Sequence, residues 1–348
     1  MSSGAPAEPA VEAAGVEEAA PGTRSGLLRR ALGLLAPLAG LLLVLLLAAV
    51  TTPGFFSGDV LRLVLFQAGL IGVTAVGQTL VLLVAGIDLS IGAVVGLTTV
   101  IVASHTLGDD ARLGTGILLA LAAGLAVGVV NGLLVVRRQV PAFVATFATF
   151  VLVQGVITAW TRGAPSGNIP DALSPLGTGR FLGVPTPAWV FLGVALLAGV
   201  VLGRTGLGRR IYATGSNARA TALSGVRTGW VVAGCYVASA LLAVLAGLIS
   251  AGYIGYVDAR LSRSLDLNSV AAAVIGGIAL TGGRGRIGQT VAGVALLAVL
   301  LTWLRQLGAG PGAQLAVSGA VILLAVWLQS SGWTVRSPRR NKRTDGVR

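Results

Sequence analysis

Gly77-Gln-Thr-Leu-Val-Leu-Leu-Val-Ala-Gly-Ile-Asp88-Leu-Ser-Ile-Gly92 sets one acid at the junction of two apolar runs, 61–84 and 90–106. A membrane-crossing helix needs about 20 consecutive, mostly apolar residues. Ten windows meet or approach that length: 32–50, 61–84, 90–106, 114–136, 141–160, 188–203, 230–252, 267–281, 289–305 and 313–330. The eighth, 267–281, is short and rich in glycine, so a full crossing and a re-entrant or broken helix both remain open. The fold class expected is all-α: a polytopic membrane protein of about ten transmembrane helices.

Composition agrees. Of 348 residues, 55% are hydrophobic and 11% charged, against roughly a quarter charged in soluble domains. So few charges cannot wet a soluble surface of this size. The Leu, Val and Ala content excludes a disordered chain. One cysteine, Cys235, and one histidine, His105, leave no disulfide scaffold and no Cys/His-built zinc or catalytic site. No metal, cofactor or catalytic residue is expected. The only lysine, Lys342, has no glycine loop before it, so the P-loop that cradles nucleotide phosphates is missing. Any ATP drive must come from another subunit.

The net charge of +13 is spread over short loops and a tail. That pattern fits orientation in a bilayer and argues against nucleic acid as a partner. With the N-terminus inside and spans alternating, 18 of the 25 basic residues fall inside and 7 outside. Asp59, Asp109, Asp110, Asp171, Asp258 and Asp266 fall outside. The positive-inside bias therefore places both termini in the cytoplasm. Residues 1–30 are expected to form a disordered cytoplasmic tail; their first part is acidic and lacks the apolar core of a signal peptide. Residues 31–330 form the transmembrane domain, and 331–348 a basic cytoplasmic tail. Trp160, Trp189, Trp230, Trp303, Trp327 and Trp333 lie near span ends, where an interfacial aromatic belt would place them.

Two hydrophilic segments exceed simple turns. The outer one, 162–187, carries Pro165, Pro170, Pro175 and Pro185; the inner one, 204–229, carries five arginines. Within the latter, Asn217 can cap a short helix and Gly225 can stop it. A short helix on the cytoplasmic face suits docking of a soluble partner; a solvated basic loop is the plainer alternative.

The residues also resemble a known family. Gly77 to Gly92 with its Gly86-Ile-Asp88-Leu-Ser90-Ile-Gly92 core, Asn131-Gly-Leu-Leu-Val followed by Val140-Pro-Ala-Phe143-Val-Ala-Thr146, and Leu182-Gly-Val-Pro-Thr-Pro-Ala-Trp are three such stretches. Two more are Gly206-Leu-Gly-Arg-Arg210-Ile-Tyr-Ala-Thr-Gly215 with Asn217 and Leu223-Ser-Gly225, and Val274-Ile-Gly276-Gly277-Ile-Ala-Leu-Thr-Gly282-Gly283-Arg-Gly-Arg-Ile-Gly. In this order, over roughly residues 50–330, they resemble permease subunits of bacterial ABC sugar importers of the ribose/xylose/galactoside type. The resemblance implies a multi-pass subunit of the bacterial plasma (inner) membrane that pairs with a second permease copy, identical or different. It would bind an ABC ATPase subunit inside and receive a pentose, hexose or polyol from an extracytoplasmic sugar-binding protein outside. Gly86, Asp88, Ser90, Gly92, Phe143 and Thr146 then mark the translocation signature. Arg210, Gly215, Asn217, Arg219, Ala220 and Gly225 mark the ATPase coupling loop, and Gly276, Gly277, Gly282 and Gly283 a gate or packing cluster. One departure is clear: where many importer permeases carry Glu-Ala-Ala, this chain has Ala218-Arg219-Ala220, so any pairing there would run from an arginine to an acidic partner. Related branched-chain amino-acid permeases lack Ile-Asp-Leu-Ser at this place, which tilts the expected substrate toward sugars.

Asp88 carries two further readings: a cap or hinge at the start of the third span, which Ser90 could share, or a group acting in transport. The latter underlies the alternative of an ion-coupled secondary transporter. Gln67, Gln78, Thr79, Asn131, Thr146, Thr149, Gln154 and Asn268 are candidates to face a sugar path, or else to hydrogen-bond between helices.

Overall fold

The structure, a computed structural model, describes residues 23–164, 167–256 and 264–330, with side chains from 36 to 327. The tail 1–22 and the basic tail 331–348, with Trp333, lie outside the described residues. Thirteen helices are described: α1 (Thr23–Thr51), α2 (Gly58–Leu83), α3 (Ile91–Thr106), α4 (Leu113–Val136), α5 (Ala142–Thr161), α6 (Ser174–Thr178), α7 (Thr186–Arg204), α8 (Gly206–Ser216), α9 (Ala218–Leu223), α10 (Thr228–Ile254), α11 (Leu265–Gly276), α12 (Ile287–Gln306) and α13 (Pro311–Ser330). Each of the ten apolar windows falls on one helix. α1 begins at Thr23, so residues 23–30, read from sequence as tail, are helical.

Six helical stretches are long and apolar enough to cross a membrane: α2, α4 with its 3-10 lead-in from Asp110, α5, α7, α10 and α12. The described parts of α1 and α13, together with α3 and α11, are shorter. α11 has 12 residues, about 18 Å at 1.5 Å per residue, well short of a hydrocarbon core of about 30 Å. It ends at Gly276 because Gly277, with φ +99°, turns left-handed. The eighth apolar run is therefore a broken helix followed by a glycine-rich turn, 277–286.

Burial follows membrane logic. Leu43, Val50, Phe143, Phe147, Leu196 and Leu323 point outward, while Gln78, Asp88, Ser90, Asn131 and Ser239 are fully or almost fully enclosed. Lipid is as apolar as leucine, so helices associate through close packing and interhelical hydrogen bonds. The α4–α10 seam is built this way. A Cβ on Gly128 would lie 2.7 Å from Val237 Cα, and one on Gly132 2.9 Å from Ala233 Cα. Gly124, one turn earlier, is pressed against Val244.

The ends of the bundle are named inner and outer after the arginine bias. At the outer end Trp303 Nε1 donates to Thr51 Oγ1 (3.0 Å), His105 Nε2 lies 2.8 Å from Thr115 Oγ1, and Ala172 N donates to Asp110 Oδ1 (2.9 Å). The outer segment 162–187 is ordered where described. It holds a 3-10 turn (Asp171–Leu173), α6, and a hairpin of β1 (Arg180–Phe181) and β2 (Val184–Pro185) paired Arg180↔Pro185 and Phe181↔Val184. At the inner end Gly283 N donates to Leu83 O (2.9 Å). These contacts put the ends of α1, α3 and α12 and the start of α4 at one end of the bundle and the end of α2 at the other.

Candidate functional site

α2 stops at Leu83. Ala85 adopts φ +61°, and Gly86 N and Ala85 N bond back to Val81 O (3.0 Å) and Leu82 O (2.9 Å), closing the helix in the Schellman manner. Residues 86–90 then run without regular structure inside the protein. Irregular backbone within a membrane protein persists only when protein groups satisfy it, and neighbouring side chains do so here. The Gln78 amide, in the orientation that suits both partners, donates to Asp88 O (2.9 Å) and accepts from Asp88 N (3.3 Å). Thr146 Oγ1, on α5, donates to Ile87 O (3.2 Å).

The Asp88 carboxylate is fully buried. Oδ1 accepts from Ser90 N (2.9 Å) and Ser90 Oγ (2.6 Å), and Oδ2 accepts from Ser239 Oγ of α10 (2.8 Å). Asn131 Nδ2, on α4, donates to Ser90 Oγ (2.9 Å). Ser90 makes no side-chain cap to α3; its hydroxyl is turned onto Asp88 instead. One unwound segment is thereby fastened to α2, α4, α5 and α10 at once. Gly86 lets it pass: a Cβ there would lie 2.5 Å from Tyr236 Oη. Gly92 is buried in the first turn of α3. Phe143, placed with this signature by sequence, is not brought to it. α5 turns Phe143 outward, more than half exposed and stacked on Phe147 one turn later.

The second element is the inner segment. It forms two helices, α8 and α9, joined at Asn217, where one short helix was expected. Thr205 caps α8 by accepting from Gly208 N (3.3 Å), and Asn217 Oδ1 caps α9 by accepting from Ala220 N (2.9 Å). Gly225, at φ +81°, ends the segment. The cap and stop read from sequence are both present. Arg210, Arg219 and Ala220 are exposed, and the described ion pairs involve neither arginine.

The elbow is locked onto the transmembrane core by glycines. A Cβ on Gly215 would collide with the Leu83 carbonyl oxygen, and one on Gly283 with Ser216 Oγ. Gly282, with φ +81°, passes 2.8 Å from Ala85 Cβ by the same measure. Tyr212 Oη donates to Gly285 O (2.8 Å). Burial pushes the Tyr212 hydroxyl above its ordinary pKa, opposed by the nearby Arg286 charge. Of the four cluster glycines, Gly276 is a tight crossing, its Cβ position blocked by Gln289 O of α12, whereas Gly277, Gly282 and Gly283 shape the turn. The end of α2, the 277–286 turn and α8 therefore meet at one inner knot, one extended segment away from Asp88.

Of the polar path candidates, Gln78, Asn131 and Thr146 serve the Asp88 node. Thr79 pairs with Thr290 Oγ1 (2.8 Å), and Thr149 bonds its own helix at Ala145 O (3.0 Å). Gln67 and Asn268 line a cavity at the outer end. Ser239 and Tyr212 were not singled out from sequence. A serine or tyrosine in a helical stretch carries no mark of its role until packing supplies its partner.

A bundle of apolar helices with enclosed polar nodes and a basic elbow tied to its inner end is the build of a multi-pass membrane protein. The chain belongs to the family described as branched-chain amino acid transport system / permease component, which matches residues 60–326. It is 38% identical over 293 residues to the ribose import permease protein RbsC of Escherichia coli (strain K12), covering 83% of this chain and 91% of that one. It is 35% identical over 297 residues to RbsC of Bacillus subtilis (84% and 92%). It is also 35% identical over 248 residues to the autoinducer 2 import system permease protein LsrC of Salmonella typhi (71% and 70%). No solved structure matches. As a permease component with several membrane-crossing helices, the chain is a multi-pass inner-membrane protein.

Proposed function

We propose that this chain is the permease subunit of an ATP-driven importer for a sugar or closely related polyol, working as a dimer with both termini in the cytoplasm. An extracytoplasmic binding protein delivers the solute to the outer end. An ABC ATPase subunit docks on the α8–α9 elbow and hydrolyses the ATP. The ribose and autoinducer 2 import permeases among its relatives support this solute class.

The observation that carries the reading is the inner knot. Because Gly215 and Ser216 touch Leu83 and Gly283, and Tyr212 holds Gly285, a pull on the elbow reaches both ends of the broken helices. The force would pass to α11 through the 277–286 turn, and to α3 through the Asp88 segment. Asp88 acts as the hinge pin: both carboxyl oxygens are held by serines, which favours a fixed structural group over a coupling group that must exchange an ion.

Uptake into proteoliposomes tests this. The chain reconstituted with its partner ATPase and binding protein should accumulate a monosaccharide only when ATP is supplied. Uptake by the chain alone, driven by a proton or sodium gradient, would establish the secondary-transporter reading instead.

A further inference from the structure

We infer that the cavity at the outer end, between α2, α10, α11, α12 and α13, is a subsite for one neutral, monosaccharide-sized polyol; this rests on the importer reading and gives it a place. The cavity measures about 530 Å³, within the range of small-molecule sites.

Its lining separates it from the other large hollows. The one beside Gly132 and Trp230 and the one beside Val194 and Cys235 are walled almost wholly by apolar side chains, as acyl chains would require. The outer cavity presents Gln67, Ser250, Tyr253, Asn268, Ser318 and Arg305. Among the described residues the Gln67 side chain has no hydrogen bond. Asn268, almost fully buried, uses Oδ1 to accept from Ser318 Oγ (3.1 Å), which leaves its amide NH2 as a donor at the cavity wall. Amides and hydroxyls offer donors and acceptors side by side, the pattern that a ring of sugar hydroxyls matches. Tyr253 stacks on Phe66 with ring centroids 3.8 Å apart and 25° between planes, and is 43% exposed. It supplies an apolar face for the C–H side of a pyranose or furanose. Among the described lining residues there is no carboxylate, and the charged one, Arg305, has an exposed side chain; a neutral ligand fits such a lining better than a cation.

The position is also mechanically apt. Asn268 lies in the first turn of α11, and Gly276 and the 277–286 turn lie at its other end. The cavity and the inner knot are thus the two ends of one short rigid helix. A shift of the elbow against Gly283 and Gly285 would move Asn268 and change the fit of a bound sugar.

Site-directed thiol labelling of the reconstituted complex tests the assignment. Cys235 is the only cysteine and is buried, so a membrane-impermeant maleimide would read Leu315→Cys in the cavity wall and Leu307→Cys outside it. The competitors are ribose, xylose, galactose and glucose, with uptake of each measured in parallel. A sugar that is taken up should slow labelling of Leu315→Cys by the factor 1 + [L]/Kd, about tenfold at roughly nine times Kd. It should leave Leu307→Cys unchanged. Adding Gln67→Leu should abolish the protection while leaving the uncompeted labelling rate intact. A transported sugar that gives no protection, or equal protection at both cysteines, overturns the subsite. Failure of the importer reading shows separately, as absence of ATP-dependent uptake of any of the four sugars by the complex.

Discussion

Asp88 Oδ2 accepts a hydrogen bond from Ser239 Oγ at 2.8 Å, joining the unwound segment before α3 to the middle of α10. Nearby, Tyr236 Oη is buried without a hydrogen-bond partner among the described residues. The two hydroxyls should therefore respond in opposite ways. Ser239→Ala leaves a buried Asp88 oxygen short of a donor and should cost about 1–3 kcal/mol, the range for leaving a buried polar group unsatisfied. Tyr236→Phe removes an unpaired polar atom and should be close to neutral. Thermal unfolding of the detergent-purified protein compares them; a larger loss from Tyr236→Phe than from Ser239→Ala would show that the node is wired differently.

Gly215 and Gly288 form a second contrasting pair. A methyl group at Gly215 collides with the Leu83 carbonyl, while nothing lies within 4 Å of one at Gly288. Gly215→Ala should destabilise by about 1–3 kcal/mol, as overpacking does, and should uncouple ATP hydrolysis from transport. Gly288→Ala should be neutral or slightly stabilising, since alanine is the better helix former. The ratio of ATP hydrolysed to solute moved is the measurement.

Tyr212→Phe removes the hydroxyl that donates to Gly285 O, and should lower stability by about 1 kcal/mol. Burial raises the folded-state pKa of Tyr212, so folding favours its protonated form. That contribution is complete below the unfolded-state value of about 10 and is lost as pH climbs through the higher folded-state value. Melting curves above pH ~10 should therefore fall more steeply for the wild type than for Tyr212→Phe. Parallel curves would mean that the hydroxyl is not held as described.

Arg219 is exposed on α9 and pairs with no acid among the described ion pairs. Arg219→Glu should leave the fold intact yet weaken partner docking, most strongly at low salt, where exposed charges act over a longer range. Co-elution of the ATPase across a salt series reads this; retention equal to wild type at every salt concentration would place docking elsewhere.

Ten apolar helices were legible in the sequence because each sits on an apolar run. The end of the eighth was less so: hydropathy continues past Gly276, and only the left-handed turn at Gly277 breaks it. The α9 cap and stop were legible because Asn217 and Gly225 act locally. The partners of the unwound segment 86–90 were half legible. Gln78, Asn131 and Thr146 stand out as polar residues in apolar runs, but Ser239 becomes a partner only through the register of α10 against the segment 86–90. The sequence groups Phe143 with the signature because it lies in the family-like stretch 140–146; the turn of α5 sends its side chain and that of Thr146 to different faces.

The central claim is that this chain works through a partner ATPase docked on the α8–α9 elbow. The most direct measurement is mild purification of the tagged chain from its native membrane, with quantitative mass spectrometry of what accompanies it. The account predicts a P-loop ATPase in near-equal amount, lost from a variant lacking α9. Recovery of the chain without any ATPase, together with gradient-driven uptake by the chain alone, would contradict it.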